Sequence, residues 1–226
     1  MITADFEGKK ASLYLCGAEK VPLIVLNSYS DEGEAAAAAL KAVGSPECDL
    51  LLVSRLDWDR DMSPWPCLPV FAGGASYDGG ADVYLRQLTE QILPWARSEL
   101  PGISAYVGIA GYSLAGLFAI YSLYRCDVFD RAASISGSLW YPDFLRFVRE
   151  HDFVRRPEKL YFSVGDKEAK TKNPFLKTVQ ENTETAAELY REKGIEVFFE
   201  LNPGNHFREP ELRTAKGIRS VIGSGE

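Results

Sequence analysis

A serine at a sharp turn is the first residue in this sequence that could act as a nucleophile. Ser113 lies in the segment GYSLAG, between an alternating apolar run that predicts a short strand and an apolar run that predicts a helix. In such a strand–turn–helix, strained backbone angles raise the hydroxyl above the sheet edge, provided that the residues two positions away are small. Gly111 and Ala115 are small, so the segment predicts a nucleophilic serine, with an ordinary Gly/Ser turn as the alternative.

A serine hydroxyl is a poor nucleophile at neutral pH unless a base lies beside it, and the sequence contains two histidines. His206 lies in a loop of Asn, Pro and Gly residues directly after the last predicted strand. His151 lies near the end of a predicted helix, between Glu150 and Asp152, where a solvated histidine is the simplest interpretation. We therefore expect His206 to meet Ser113 at one edge of the sheet and to act as its base.

The third member of the site should be a carboxylate that orients the imidazole and stabilises its protonated form. In the chain order Ser, acid, His, this carboxylate comes from the loop after the predicted strand 159–164. That loop offers Asp166, which follows the strand directly, and Glu168, which lies further along but has a longer side chain. The residues themselves leave both candidates open.

An oxyanion that forms beside Ser113 needs two hydrogen-bond donors. The backbone N–H of Leu114, the residue after the nucleophile, is the first predicted donor. The second should come from the loop after the apolar run 21–26, and we predict the backbone N–H of Tyr29.

Alternating strands and helices must position these loops, and they follow one another regularly after residue 20. This order predicts an α/β fold with a mainly parallel sheet and helices on both faces, and residues 1–226 should form a single domain. Segments 2–6 and 11–16 alternate in polarity and predict an antiparallel hairpin at the sheet edge. The later strands are predicted at 21–26, 49–53, 105–110, 131–136, 159–164 and 196–201. Helices are predicted from residue 33 to Gly44, over 81–100 with a kink at Pro94, after the serine to 123, over 174–193, and finally to about 222.

Tryptophans are concentrated in the loops at the expected catalytic edge. The stretch 54–80 is rich in Trp, Pro, Asp and Gly without a sustained period, and a loop this long is usually functional or a linker. Its aromatic residues argue against a linker. We expect Trp58 and Trp140 to line a pocket for an aromatic or catecholate acyl group, together with Trp65. Packing of these side chains within the loops is an equally good interpretation.

Composition and charge exclude several classes of protein. A net charge of −7 with dispersed Lys and Arg residues argues against a nucleic-acid partner, and the apolar runs are too short for a membrane span. The acidic N-terminus lacks the apolar core of a secretory signal, and the four cysteines are scattered, so a cytoplasmic location is expected. No His, Cys and Asp set has ligand spacing, so we expect neither a metal nor another cofactor.

Taken together, these segments resemble the putative-esterase branch of the α/β-hydrolases, which includes siderophore (enterobactin-type) esterases, feruloyl esterases and S-formylglutathione hydrolase. The resemblance spans nearly the whole chain and rests on the segments RDMSP at 60–64, GGADVYL at 79–85, GYSLAG, SGSLW at 136–140, GDKE at 165–168 and GNHF at 204–207. It implies an α/β-hydrolase fold and an ester hydrolase that acts through Ser113 and His206. It also implies Glu168 as the acid, three residues after the glycine that ends the strand. The chain departs from many relatives in having Asn27-Ser28 where they have His-Gly.

The resulting hypothesis is a serine esterase that cleaves a small-molecule carboxylic ester, of the siderophore type or an aryl ester, through an acyl-enzyme on Ser113. Two alternatives remain open at this point. One is an acyltransferase of the same fold, and the other is a hydrolase-fold protein that binds ligands without catalysis.

Overall fold

Strands and helices alternate along the chain in the predicted order. The computed structural model describes residues 1–31, 33–70 and 73–223. The strands in these ranges are β1 (Ile2–Phe6), β2 (Lys9–Tyr14), β3 (Leu23–Asn27), β4 (Asp49–Ser54), β5 (Pro66–Cys67), β6 (Tyr77–Asp78), β7 (Val107–Tyr112), β8 (Arg131–Ile135), β9 (Lys159–Gly165) and β10 (Glu196–Asn202). The helices are α1 (Gly33–Ala42), α2 (Trp58–Asp61), α3 (Ala81–Gln87), α4 (Leu93–Glu99), α5 (Leu114–Ser122), α6 (Phe144–Glu150), α7 (Val179–Glu192) and α8 (Pro210–Ile222).

The main sheet confirms the predicted α/β fold class. Its strand order, within the described residues, is β1-β2-β4-β3-β7-β8-β9-β10. From β4 to β10 each neighbouring pair is parallel, whereas β2 is antiparallel to both β1 and β4. Every residue of β3 is buried, as predicted for a central strand covered on both faces. The predicted N-terminal hairpin is also present, with β1 at the edge of the sheet.

Helices cover both faces of the sheet because successive side chains of each strand point to opposite sides. In β3, Leu23 and Val25 join the larger apolar core, to which α3 to α7 contribute. Ile24 and Leu26 join a second core, which is covered by α1 and α8. The loops that follow the parallel strands therefore emerge at one edge, between two packed layers of helices.

Two segments differ in detail from the predictions. The stretch 54–80, predicted as a loop, contains the one-turn helix α2 and the short antiparallel pair β5–β6, while Phe71 and Ala72 lie outside the described residues. The helix predicted over 81–100 consists of α3 and α4, joined by a π-helical turn at Leu88–Ile92. The N–H of Leu93 bonds the carbonyl of Leu88, so the irregular turn comes just before Pro94, which has no N–H to donate.

Candidate active site

The turn between β7 and α5 holds Ser113 at φ 60° and ψ −124°, a backbone conformation that side-chain-bearing residues rarely adopt. The turn is tight because strand and helix nearly touch there. A Cβ atom at Gly111 would lie 2.3 Å from backbone atoms of Ala115, so only glycine fits. The requirement for small residues on both sides of the serine, expected from the sequence, is therefore met in the structure.

His206 lies beside Ser113, although 93 positions separate the two residues in the chain. Its Nε2 atom is 3.1 Å from Ser113 Oγ, within hydrogen-bonding distance. The hydroxyl of Tyr112 donates to the backbone carbonyl of His206 at 2.6 Å and ties the histidine loop to the end of β7. The structure thus brings together the two residues on which the sequence hypothesis depends.

The carboxylate of Glu168 continues this chain of hydrogen bonds. Nδ1 of His206 lies 2.7 Å from Oε2 of Glu168. The second oxygen, Oε1, accepts the backbone N–H of Gly165 at 2.7 Å. Asp166, the other candidate, instead accepts the backbone N–H of Gly204 at 2.7 Å and so joins the loops that follow β9 and β10. Of the two acids left open by residue type, the structure brings Glu168 to the imidazole.

The environment of Glu168 favours its ionised form. Burial of this side chain would raise the pKa of the carboxyl group. Hydrogen bonding and charge attraction from His206, followed by hydrogen bonds from Ser136 and Gly165, outweigh burial and lower the pKa below its usual value of 4.5. A carboxylate that stays charged is suited to stabilise a protonated imidazole.

Arg213 also supports Glu168, and the sequence analysis missed it. This arginine of α8 is only 2% exposed. Its Nη1 donates to Glu168 Oε1 at 3.1 Å and to Ser136 Oγ at 3.2 Å, and its Nη2 donates to the carbonyl of Pro203 at 3.0 Å. A signal was present, because Arg213 lies four and eight residues before the buried Gly217 and Val221, on the apolar stripe of the helix.

Ser138 is a second neighbour of the nucleophile that residue patterns did not single out. Its backbone N–H donates to the carbonyl of Ser113 at 3.0 Å, and its hydroxyl oxygen lies 3.4 Å from Ser113 Oγ. The loop after β8 therefore helps to hold the turn in its strained conformation.

The predicted oxyanion donors come from two different elements, the start of α5 and the loop after β3. Leu114 is the first residue of α5, and the first N–H groups of a helix have no partner within the helix. After β3, the N–H of Ser28 is already engaged with the carbonyl of Val53 at 2.9 Å, and Tyr29 follows it. Tyr29 and Ser113 line the same cavity, so the predicted second donor lies in the right part of the molecule.

A cavity of about 400 Å³ opens beside Ser113 and His206, within the usual size range of ligand pockets. It extends between the ends of β3 and β4 and the helices α1 and α8. Its lining residues are Leu26, Asn27, Ser28, Tyr29, Ser30, Ala36, Leu52, Trp58, Tyr112, Ser113, His206, Phe207, Pro210, Glu211 and Thr214.

Trp58 lines this cavity, as expected, but Trp140 does not. Trp140 is only 7% exposed and belongs to the larger apolar core, where its ring lies 6.2 Å from that of Tyr77. Trp65 is packed similarly, and its Nε1 donates to the carbonyl of Pro142 at 3.1 Å. We therefore remove Trp140 from the candidate binding site, because the loops need large apolar side chains for a core of their own.

No cluster of His, Cys, Asp and Glu residues that could hold a metal ion occurs in the ranges 1–31, 33–70 and 73–223. None of the helices described in those ranges has both the length and the apolar character needed to cross a bilayer.

The candidate site consists of a hydroxyl, an imidazole and a buried carboxylate that lie within hydrogen-bonding distance of one another in that order, next to a cavity. Such an arrangement can activate the hydroxyl as a nucleophile toward an acyl group.

Comparisons with known proteins agree with this chemistry. The family model described as "Putative esterase" matches residues 23–210, a range that contains Ser113, Glu168 and His206. The Bacillus subtilis (strain 168) protein YbbA is 24% identical over 148 residues, which cover 63% of this chain. The chain spans only 57% of the length of that curated relative.

Solved structures share the fold over nearly the whole chain. An IroE-like serine hydrolase from Shewanella oneidensis has a TM-score of 0.78 at 18% identity, with 95% of this chain and 75% of that chain covered. The siderophore hydrolase EstA from Aspergillus nidulans has a TM-score of 0.73 at 17% identity, with 95% and 89% covered. At these identities the likeness establishes the α/β-hydrolase fold that the sequence predicted.

Proposed function

The chain belongs to the putative esterase family of α/β-hydrolases, and from this premise we propose that it cleaves carboxylic esters through an acyl-enzyme on Ser113. Family membership identifies the class of enzyme, a carboxylic-ester hydrolase. The proposal adds the residues that carry out the reaction and the kind of ester that enters the cavity.

The proposed reaction has two halves, with His206 as the proton carrier in both. His206 removes the proton of Ser113 as its oxygen attacks the ester carbonyl, and Glu168 stabilises the imidazolium that forms. The N–H groups of Leu114 and Tyr29 donate to the oxyanion of the tetrahedral intermediate. His206 then gives its proton to the departing alcohol, which leaves the acyl group on Ser113. In the second half, His206 activates water to release the acid.

The observation that carries this proposal is the unbroken series of hydrogen bonds from the hydroxyl to the carboxylate. Ser113 Oγ lies 3.1 Å from His206 Nε2, and His206 Nδ1 lies 2.7 Å from Glu168 Oε2. Three loops that are distant in the chain supply these groups. A protein that only binds ligands has no use for this alignment.

The proposed substrate is a small ester with an aryl or siderophore-type acyl group. Trp58, Tyr29 and Phe207 surround the cavity with aromatic surface, which suits an aromatic acid. The similar structure from Aspergillus nidulans is named as a siderophore hydrolase, which supports the second type. The cytoplasmic location stays a prediction of the sequence.

The test is a panel of p-nitrophenyl and catecholate esters, assayed with the wild-type protein and with Ser113→Ala. We expect Ser113→Ala to lower kcat by roughly 10⁴- to 10⁶-fold, because the remaining groups cannot form the acyl-enzyme. Ser98→Ala is the matched control, since this exposed serine of α4 lies outside the site and its loss should leave the rate unchanged. Full activity in Ser113→Ala would contradict the proposed mechanism.

A further inference from the structure

The cavity beside Ser113 carries a charge pattern that bears on which ester it accepts. We infer that it selects aromatic esters with a cationic or neutral acyl group and rejects anionic ones, with Glu211 as the residue that sets this preference. The inference rests on the proposed esterase function, because it concerns the substrate of that same site.

Aromatic side chains at the mouth of the cavity are exposed to an unusual degree. Phe207, directly after the catalytic histidine, is 84% exposed, and Tyr29 is 77% exposed. The rings of Tyr29 and Trp58, which line the same cavity, lie 5.4 Å apart in an edge-to-face arrangement. Large apolar residues that stand together in solvent beside a cavity mark a surface for binding a ligand.

Deeper in the cavity the surface is aliphatic. Leu26 and Leu52 form part of the wall between the sheet and α1, and Ala36 of α1 lies opposite. An aryl acyl group can therefore bury its ring in the cavity while its carbonyl remains at Ser113. The loop after β3 supplies uncharged polar groups to the lining, and α8 supplies Glu211, so a charged substituent on the ring comes within the influence of that carboxylate.

Glu211 is the charged residue in that part of the lining. Apart from His206, it carries the one formal charge among the described residues that line the cavity. It lies in the first turn of α8, where the helix N-terminus contributes a partial positive charge of about one half. The full negative charge of Glu211 exceeds this partial charge, so the first turn of α8 presents a net negative charge to the cavity.

Two arginines close to the lining residues in the chain are paired with carboxylates of their own. Arg213 is buried against Glu168 at 3.1 Å, and Arg208 pairs with Glu209 at 3.4 Å. An anionic ester in the cavity would thus meet Glu211, and the described residues of the lining include no lysine or arginine to offset it. Sites that bind anionic ligands normally place arginine or lysine against them.

A cationic group, in contrast, can make two kinds of favourable contact in this cavity. The carboxylate of Glu211 attracts it directly, and the faces of Trp58, Tyr29 and Phe207 offer cation–π contacts. Aromatic rings combined with a carboxylate are the chemistry that recognises alkylammonium groups. The cavity therefore matches an ester with a neutral or cationic acyl group better than one with an anionic acyl group.

The test uses three p-nitrophenyl 3-arylpropanoates that differ only in the para substituent of the ring. The substituents are tert-butyl, trimethylammonium and sulfonate, of which the first two have nearly the same shape and differ by one charge. The propanoate spacer limits the electronic effect of the substituent on the ester carbonyl. Dividing each kcat/KM by the rate constant for hydroxide hydrolysis of the same ester corrects for the electronic effect that remains. The measured quantity is kcat/KM at low and high salt for the wild type, Glu211→Gln and the control Glu181→Gln.

We expect the cationic ester to exceed the anionic one by about tenfold in kcat/KM at low salt, because one exposed carboxylate attracts the first and repels the second. Glu211→Gln should bring this ratio close to one, and added salt should lower it in the wild type. Glu181→Gln, an identical charge change in the first turn of α7 and outside the lining, should leave the ratio within twofold. A wild-type preference for the sulfonate, or a ratio that Glu211→Gln does not change, would overturn the inference.

Binding of the same esters to Ser113→Ala, followed by tryptophan fluorescence, separates this inference from the proposed function. If the wild type hydrolyses none of the three esters, the esterase proposal fails for this substrate class. Whether or not the esters are hydrolysed, the order of the three dissociation constants tests charge selection. Tightest binding of the trimethylammonium ester supports the inference, and tightest binding of the sulfonate ester contradicts it.

Discussion

The two oxygens of the Glu168 carboxylate have different tasks. Oε2 faces the imidazole of His206, whereas Oε1 is held by the N–H of Gly165 and the guanidinium of Arg213. The carboxylate is therefore fixed in position before any substrate binds. Asp166 is only two residues away, yet its hydrogen bond to Gly204 gives it a structural task between neighbouring loops.

Substitution of the two acids should separate these tasks. We expect Glu168→Gln to lower kcat by about 10²- to 10⁴-fold with little change in KM, because a neutral amide no longer stabilises the imidazolium or its tautomer. Asp166→Asn, the matched change two residues away, should alter kcat by only a few-fold while lowering the midpoint of urea unfolding. Equal losses of kcat in both variants would contradict the assignment of Glu168.

Arg213 gives a prediction for the dependence of stability on pH. Because the pKa of Glu168 is lowered, its carboxylate stabilises the fold above the usual value of 4.5, and this stabilisation is lost as pH falls through the folded-state pKa. Removal of the guanidinium in Arg213→Met raises that pKa, so we expect the loss to begin at higher pH. At neutral pH the free energy of unfolding should fall by about 1.5–3 kcal/mol, because the buried carboxylate loses one charge-assisted hydrogen bond while those from His206 and Gly165 remain.

Urea titrations between about pH 2.5 and pH 8 measure this shift, because the loss in the wild type lies below pH 4.5. Arg219→Met on the same helix is the control, since Arg219 is exposed and should leave the pH profile unchanged. Arg213→Lys should be intermediate in stability between the wild type and Arg213→Met, because lysine keeps the positive charge but loses the forked geometry of the guanidinium. A profile for Arg213→Met that parallels the wild type would show that the guanidinium does not act on Glu168.

Single residues differed in how far the sequence could predict them. Ser113 and His206 were predictable because a turn motif and a pair of histidines left few choices. The choice between Asp166 and Glu168 depends on the path of one loop, which residue types do not define. Arg213 was missed because an arginine in a surface helix normally faces solvent; its position on the apolar stripe of α8 indicates burial, but not the distant carboxylate that it contacts.

The turn between β7 and α5 is the element whose geometry matters most. Its contacts are backbone to backbone, so no side-chain movement can relieve an added methyl group at Gly111. Gly108, on the same strand, is different. A Cβ atom there would meet the end of the Ile24 side chain at 2.8 Å, and such a side chain can move.

These two glycines allow a matched test of the turn. We expect Gly111→Ala to destabilise the protein by more than about 3 kcal/mol and to abolish activity, because strand and helix must separate. Gly108→Ala should cost about 1–3 kcal/mol and retain the native rate per folded molecule. Urea unfolding with activity assays measures both, and a Gly111→Ala protein that is as active as Gly108→Ala would contradict the described packing of the turn.

Regular elements were predictable to within a few residues because hydrophobic periodicity reports burial directly. β3 and β7 show this best, since their apolar runs coincide with buried strands. The stretch 54–80 lacks such a period, so neither α2 nor the β5–β6 pair could be predicted. The same stretch explains the error for Trp140, whose partner Tyr77 comes from β6 and whose burial depends on how the loops pack.

At the level of the whole molecule, the order of strands is what unites the site. Asn202 at the end of β10 pairs with Gly165 at the end of β9, so the loops that carry His206 and Glu168 start side by side. β7 lies two strands away from β9, across β8, and Ser113 projects from its end. Both helical layers pack on this one sheet, and we propose that the chain unfolds as a single domain.

A single domain should lose all its structure together. We expect far-UV circular dichroism, tryptophan fluorescence and esterase activity to show coincident transitions in urea, because the two cores share the strands of one sheet. Trp95 lies in α4, Trp58 begins α2, and Trp65 and Trp140 lie in loops. Their fluorescence therefore reports on separate regions, which makes the comparison sensitive. A separate early transition in fluorescence with native circular dichroism would indicate that the loops around the site unfold independently.

The most direct test of the central claim is covalent labelling by a fluorophosphonate probe, followed by peptide mass spectrometry. The account predicts one modified residue, Ser113, with labelling abolished in Ser113→Ala and slowed by at least about 100-fold in Glu168→Gln, because the probe reacts only with an activated serine. Absence of labelling in the folded wild-type protein, or labelling at another serine, would contradict it.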